Sequence, residues 1–397
     1  MMNMFNIRIA CLIVLMNFRT SFIVRAQEQL PSVVTYTVGH YKTVYSNVLD
    51  EDRTILVNLP DDYETSRKQY PVLYILDGEA THRFIHSIAA ITFYSGVRRL
   101  PRMIVVGILN TDRTRDMTPR KVVQRQNSGG GDAFLKFIIS ELKPYIECKY
   151  RSAPYRILFG GSLAGMLTLY SLFSQPEFFD GYIASRPALN SLTDYTWDSD
   201  VIFQKARNFF VNSKSLKKSL FIDYGEQEDA LHDPEPIQKL SAIFKLNPLQ
   251  DFRWKIQSMG ESGYRSAESL KNGLLAVFDG WHYSADLLFA HGFAGLENHA
   301  KRLSERFGYP ITVADLLTEK DLLMFGYRFL ENENLTEAIA LFKYAVAIYF
   351  NSWNAFDSLA EAYLKAGQKD LAIKNYEKSL ELNPENTNAV EKLRQLQ

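Results

Sequence analysis

Two rhythms of apolar and polar residues run along this chain, and the point where one gives way to the other divides it. From Tyr41 to Asn58 the residues alternate around Asp50-Glu51-Asp52, the period-two pattern of half-buried strands, and this predicts an entering hairpin. Short, almost purely apolar runs then recur at Val72–Leu76, Met103–Ile108, Ile157–Phe159, Gly181–Ala184, Leu220–Tyr224 and Phe252–Ile256. Such runs read as strands buried on both faces. Helical-period stretches lie between several of them, at Ala133–Ile146, Gly165–Phe173 and Ser266–Phe278. Strands alternating with helices predict an α/β fold with a parallel sheet covered by helices.

Beyond about Asp315 the strands stop and helices continue to the end. Positions 319–352 repeat at a spacing of 34 in positions 353–386: Gly326 falls on Ala360, Leu330 on Leu364, Ala338 on Ala372, Phe342 on Tyr376 and Ala345 on Ser379. Small residues where helices touch, with aromatics between them at that spacing, are the signature of tetratricopeptide repeats. Two repeats are too few for a free-standing solenoid, so they are expected to pack on the larger domain.

Composition narrows the partners. A chain of 397 residues with 46% hydrophobic content is long enough for one large domain and a smaller one. Its 45 basic residues balance 45 acidic ones, which offers nucleic-acid phosphates no clustered countercharge and removes that partner. The start reads as an export signal: Arg8, the apolar stretch Ile9–Met16, then Val24-Arg25-Ala26 before Gln27. Asn17 and Arg19 interrupt the apolar run too early for a membrane anchor, so a secreted or periplasmic protein with no remaining integral span is expected. Removing that segment takes Cys11 with it and leaves Cys148 alone, without a disulfide partner or a thiol-rich metal site. The boundaries that follow are 1–26 for the signal, 27–314 for the α/β domain and 315–397 for the helical repeats.

The strongest chemical signal is the strand running into a helix through Phe159-Gly160-Gly161-Ser162-Leu163-Ala164-Gly165. A nucleophile elbow needs its Ser on a tight, strained turn at the sheet edge, with small residues two positions either side so the strand and helix can cross. Here Ala164 stands where the pattern has Gly, and Gly165 follows at once.

Together with Pro71–Gly78, Val105–Ile108 followed by Asn110–Asp116, and Glu141–Ile146, this elbow resembles the putative-esterase family of α/β hydrolases. That group includes enterochelin-esterase-like enzymes and esterase D, and the resemblance covers roughly residues 35–309. It implies an α/β-hydrolase fold that cleaves carboxylic esters or thioesters through an acyl-enzyme on Ser162, with Leu163 and the loop at Gly78-Glu79 as oxyanion donors. It also implies an acid after the strand Phe221–Gly225: Glu228 fits best, with Asp229 as the alternative.

The base departs from the pattern. Where the family has a His about a dozen residues before a Gly-Leu, here Gly273-Leu274, this chain has Ser262, and Met259–Arg265 contains no His. His282, His291 and His299 follow a helix that carries its end roughly 20 Å from the catalytic edge. His40 precedes the domain, and His232 sits in the acid loop. His82 and His86 lie just past the third strand beside the oxyanion loop, and His82 is taken as the relocated base. Removing the His from such a triad costs about six orders of magnitude in turnover, so the point decides between two readings. One is a serine esterase acting on a small-molecule ester. The other is an impaired relative that uses its pocket, with the helical tail, to bind a ligand or a protein. No metal or organic cofactor is implied, because the Cys and His spacings form no ligand cluster.

Overall fold

The computed structural model describes residues 37–397, apart from 65, 80, 123–124, 190–198, 226–233, 261–265 and 397, and leaves undescribed the side chains of Thr81, His82, Ser199 and Ser266. The leader segment, Glu228, Asp229, His232 and Ser262 lie outside the described residues.

Among the described residues, eight strands form one sheet: β1 (His40–Ser46), β2 (Glu51–Asn58), β3 (Tyr70–Ile75), β4 (Ile104–Ile108), β5 (Ser152–Gly161), β6 (Gly181–Ser185), β7 (Ser219–Tyr224) and β8 (Arg253–Ser258). Their order is β1-β2-β4-β3-β5-β6-β7-β8. The alternating hairpin forms β1 and β2, which pair antiparallel and join the sheet antiparallel to β4. From β4 onward every pairing is parallel. The elbow strand β5 therefore sits inside the sheet between β3 and β6, where residues from several strands converge at one carboxyl edge. One strand corrects the pattern. β8 is the free edge rather than a doubly buried strand, and its Arg253 and Lys255 are exposed, which the alternation Phe-Arg-Trp-Lys-Ile already contained.

Helices cover both faces: α1 (Thr81–Gly96), α2 (Arg113–Met117), α3 (Gly131–Phe137), α4 (Lys143–Lys149), α5 (Leu163–Ser174), α6 (Ser199–Asn212), α7 (Glu235–Leu246), α8 (Ser266–Val277) and α9 (Ala285–Phe307). Every residue of α5 from Leu163 to Phe173 is buried, matching a sequence that is apolar all round. The helix expected over Ala133–Ile146 is divided by a π turn at Ile138–Leu142. Pro144, in the first turn of α4, supplies no N–H and crowds the carbonyl a turn earlier, which the widened turn accommodates.

The tail consists of the short α10 (Val313–Leu316), then α11 (Glu319–Glu331), α12 (Leu335–Ile348), α13 (Trp353–Lys365), α14 (Lys369–Leu382) and α15 (Thr387–Leu396). The breaks fall where the 34-residue register puts them, with Thr318, Asn334 and Ser352 capping α11, α12 and α13. Gly326 has to be small: a Cβ there would stand 2.3 Å from the Phe342 ring. Gly39–Gln397 clusters as one compact unit, so the tail is packed on the body. Arg98, just past α1, pairs with Asp321 at 2.5 Å and lies over the Phe325 ring. Phe289 of α9 packs on Phe325 and Phe329.

A tighter joint lies at Gly292, where α9 kinks with φ 61° and ψ −164°. The kink frees the N–H of Phe293, and the Glu337 carboxylate from α12 accepts it at 2.7 Å, capping the second half of α9 from the tail. Glu337→Ala is expected to lower unfolding stability by about 1–2 kcal/mol, the worth of a lost cap. Urea denaturation checks this, and an unchanged midpoint would show the cap to be idle. Among the described residues no helix is long and apolar enough to cross a membrane.

Candidate active site

Ser162 sits between β5 and α5 with φ 58° and ψ −121°, a left-handed backbone that a non-glycine residue rarely adopts. Three backbone hydrogen bonds hold the bend. The Ser162 N–H donates to the Ser185 carbonyl at 2.9 Å, and the Ser162 carbonyl accepts from Met166 and Ala188, each at 3.0 Å. The residue is half-buried, so its hydroxyl is not enclosed in the core. The departure at Ala164 is tolerated because the tight approach to Gly160 is made by the Ala164 carbonyl rather than its methyl. Gly165 takes the other crossing, where a Cβ would meet the Ser185 carbonyl at 3.0 Å and Pro187 Cα at 3.1 Å.

Two neighbouring strands end in the same strained conformation. Asp77 after β3 has φ 57° and Arg186 after β6 has φ 40°. Left-handed non-glycine residues each cost on the order of 1–3 kcal/mol and persist where the surroundings over-determine them. The surroundings of Asp77 are a cluster of donors. Arg113 grips it with Nε on Oδ1 at 2.7 Å and Nη2 on Oδ2 at 2.9 Å, Arg83 adds a bond at 2.7 Å and Asn110 one at 2.9 Å. Burial works to raise the Asp77 pKa, but the Arg113 fork, with Asn110 and Arg83, outweighs it and holds the carboxyl below its usual range. Asp77 therefore stays ionised and anchors the start of the Gly78-Glu79 loop. Asn110 also donates to the Glu79 carboxylate, tying the loop to the segment after β4.

Gly78 requires a correction. Its N–H donates to the Ile108 carbonyl at 2.8 Å and is therefore not available to a developing oxyanion. Gly78 is needed for space instead, since a Cβ would stand 2.5 Å from Gly107 C and Ile108 N. The loop's next N–H, that of Glu79, takes its place as candidate donor. Leu163 is the first residue of α5, so its N–H has no intrahelical acceptor and it remains a candidate donor.

Asp223, near the end of β7, is an acid inside the apolar run Phe221-Ile222-Asp223-Tyr224, a signal of a buried role that the run's hydrophobicity masks. It lies in register with Ser185, which is in register with Gly161. Arg186 N–H donates to its Oδ1 at 3.0 Å, and the Ser185 hydroxyl does so at 3.3 Å. Burial, only partly offset by Ser269, Arg186 and Ser185, pushes the carboxyl above its usual range. Through Ser185 and Arg186 it fixes the loop that clasps Ser162.

The histidines divide cleanly. His282 Nδ1 lies 3.2 Å from the Arg98 carbonyl and His299 Nε2 lies 3.1 Å from the Trp281 carbonyl, so both are engaged by backbone away from the elbow loop. His291 is exposed on α9, and His40 is exposed at the start of β1. His82 has its backbone in the first turn of α1, shortly after the Gly78-Glu79 loop, and His86 is exposed one turn on. Among the described residues, no side chain is hydrogen-bonded to the Ser162 hydroxyl, and no group of three or more His, Cys, Asp or Glu is placed to hold a metal ion.

Comparison with known proteins gives this geometry a context. Residues 353–386 match the tetratricopeptide-repeat model, the second of the two registers. A siderophore triacetylfusarinine C esterase of Aspergillus fumigatus is 31% identical over 193 residues, covering 44% of this chain and 61% of that protein. The chain thus spans about three fifths of that relative's length. An IroE-like serine hydrolase from Shewanella oneidensis superposes with a TM-score of 0.66 at 24% identity, over 76% of this chain and 98% of its own. A protein of Capnocytophaga ochracea does so with a TM-score of 0.60 at 18% identity, over 86% and 93%. These two share the fold. The model of the family described as "Putative esterase" matches residues 46–290, which include the elbow, the Asp77 cluster and every strand from β2 to β8, and the chain belongs to that family.

Proposed function

We propose that this chain is an exported carboxylic-ester hydrolase that works through an acyl-enzyme on Ser162. The observation that carries the reading is the left-handed, half-buried Ser162 at the carboxyl edge of β5, followed by the unclaimed N–H of Leu163. Ser162 Oγ attacks the ester carbonyl carbon and its proton passes to a base; the oxyanion is held by the Leu163 and Glu79 N–H groups; the alcohol leaves protonated, and water then cleaves the acyl-enzyme. His82 is our candidate base, supported by its place one turn past the Glu79 loop, and Glu228 our candidate acid, with Asp229 as its alternative. Export is supported by the amino-terminal pattern.

Siderophore esters, the substrates named for the Aspergillus relative, are the substrate class to assay beside p-nitrophenyl acetate. Ser162→Ala is expected to drop turnover by about six orders of magnitude, to what binding and the oxyanion site alone supply, and His82→Ala to drop it by several orders of magnitude. A Ser162→Ala chain as active as the parent would defeat the proposal; an unaffected His82→Ala would remove only the relocated base. The second reading, an inactive pocket used for binding, is favoured by Ser262 standing where the family has its His. Ligand binding with no turnover in the parent chain would select it.

A further inference from the structure

A cavity lies away from Ser162. It holds about 620 Å³ along the free edge of the sheet, where β8 meets α8 and the ends of α1 and α9, and its polar lining is Arg99, Arg253, Lys255, Asn272, Asp279 and Arg306. Arg253 opens β8, five residues before Ser258 at the carboxyl end, so the cavity sits roughly 16 Å back from the catalytic edge and on the far side of β6 and β7.

Its charge is lopsided in a protein whose charges otherwise balance. Four cations line it against one carboxylate, Asp279. Among the described residues the side chains of Arg99, Arg253 and Lys255 have no ion-pair or hydrogen-bond partner. Arg306 spends Nη1 on the Asp279 backbone carbonyl and lies over the Phe307 ring, while its Nη2 is buried with no hydrogen-bond partner among the described residues. Burial, with Arg253 beside it, pulls the Arg306 pKa below its ordinary value.

Ordinary structural roles account for part of this. Charges on an edge strand block unwanted strand pairing, which covers Arg253 and Lys255, and a cation in the last turn of α9 suits the helix dipole, which covers the position of Arg306. Neither explains why Arg99 joins them from another element, or why a guanidinium nitrogen is left buried and unpaired among the described residues. A bound anion would relieve both the like-charge crowding and the orphaned donor. Arginine forks suit tetrahedral oxyanions, and a cavity of this volume exceeds a lone phosphate and fits a small organic molecule.

We propose that this cavity is a binding site for a phosphate-bearing small molecule, gripped by Arg99, Arg253, Lys255 and Arg306. It stands independently of the chemistry at Ser162.

Calorimetric titration of the full chain with inorganic phosphate and with pyrophosphate tests it, beside Arg99→Gln, Arg253→Gln and Arg306→Gln. Arg99 and Arg253 are exposed, so those two variants are expected to keep the parent melting temperature and to report binding alone. The expected result is saturable pyrophosphate binding that is tighter than phosphate, weakens with added salt, and falls about ten-fold or more in each variant. Co-sedimentation with phosphatidylglycerol vesicles distinguishes the source: vesicle binding lost in the same variants would keep the site and assign the phosphate to a lipid headgroup. No binding of either probe, or binding that Arg99→Gln and Arg253→Gln leave unchanged, would overturn the proposal.

Discussion

Gly160→Ala is expected to destroy the elbow, lowering unfolding stability by about 3 kcal/mol or more and eliminating ester turnover with it. The added Cβ would stand 2.3 Å from the Ala164 carbonyl oxygen, 2.5 Å from its carbon and 2.7 Å from the Thr168 hydroxyl. Two of those atoms are backbone in the first turn of α5, and the hydroxyl is bonded to the Ala164 carbonyl at 2.8 Å, so nothing can rotate out of the way. Either the strand or the helix must move, and Ser162 lies between them. Urea denaturation and turnover measured on one preparation check both parts. A Gly160→Ala chain with the parent's midpoint would mean that the crossing is looser than described.

Asp116→Ala is expected to cost about 3–5 kcal/mol, because it strands a buried charge. Arg53 and Asp116 are both fully buried, with Nη1 and Oδ2 2.7 Å apart. Arg53 also donates to the Leu109 carbonyl at 3.0 Å and lies over the rings of Phe134 and Phe137, so it cannot swing out to water. Removing Asp116 leaves Glu51 as its carboxylate partner among the described residues, and Glu51 is partly exposed and already shared with Arg115. Glu51→Ala should therefore cost about 1 kcal/mol, the ordinary worth of a partly solvated ion pair. A loss on Asp116→Ala no larger than that on Glu51→Ala would refute the ordering.

Most of the fold was legible because each of its parts rests on a local signal. The hairpin around Asp50-Glu51-Asp52, the apolar runs of β3 to β7 and the 34-residue register each follow from a periodicity that nearby residues enforce. What was missed depends on contacts distant in sequence. The Gly78 N–H was a natural oxyanion donor until β4 placed the Ile108 carbonyl against it, and no local pattern foretells that pairing. Asp223 is overshadowed in the sequence by the acidic loop that follows it, because only the register of β6 and β7 sets it against Ser185 and Arg186. Likewise, the kink at Gly292 looks like an ordinary mid-helix glycine until Glu337 arrives from a helix 44 residues later. Ser162 was legible for the opposite reason: its strain, its small neighbours and its helix are all written within seven consecutive residues.

The central claim is that the strained Ser162 hydroxyl is a nucleophile, and the most direct measurement treats the full chain with a fluorophosphonate and maps the adduct by tandem mass spectrometry. The expected result is one adduct, on Ser162, that is absent from Ser162→Ala. A chain that stays unmodified while a known serine esterase in the same tube is fully labelled, or an adduct on a different serine, would contradict it.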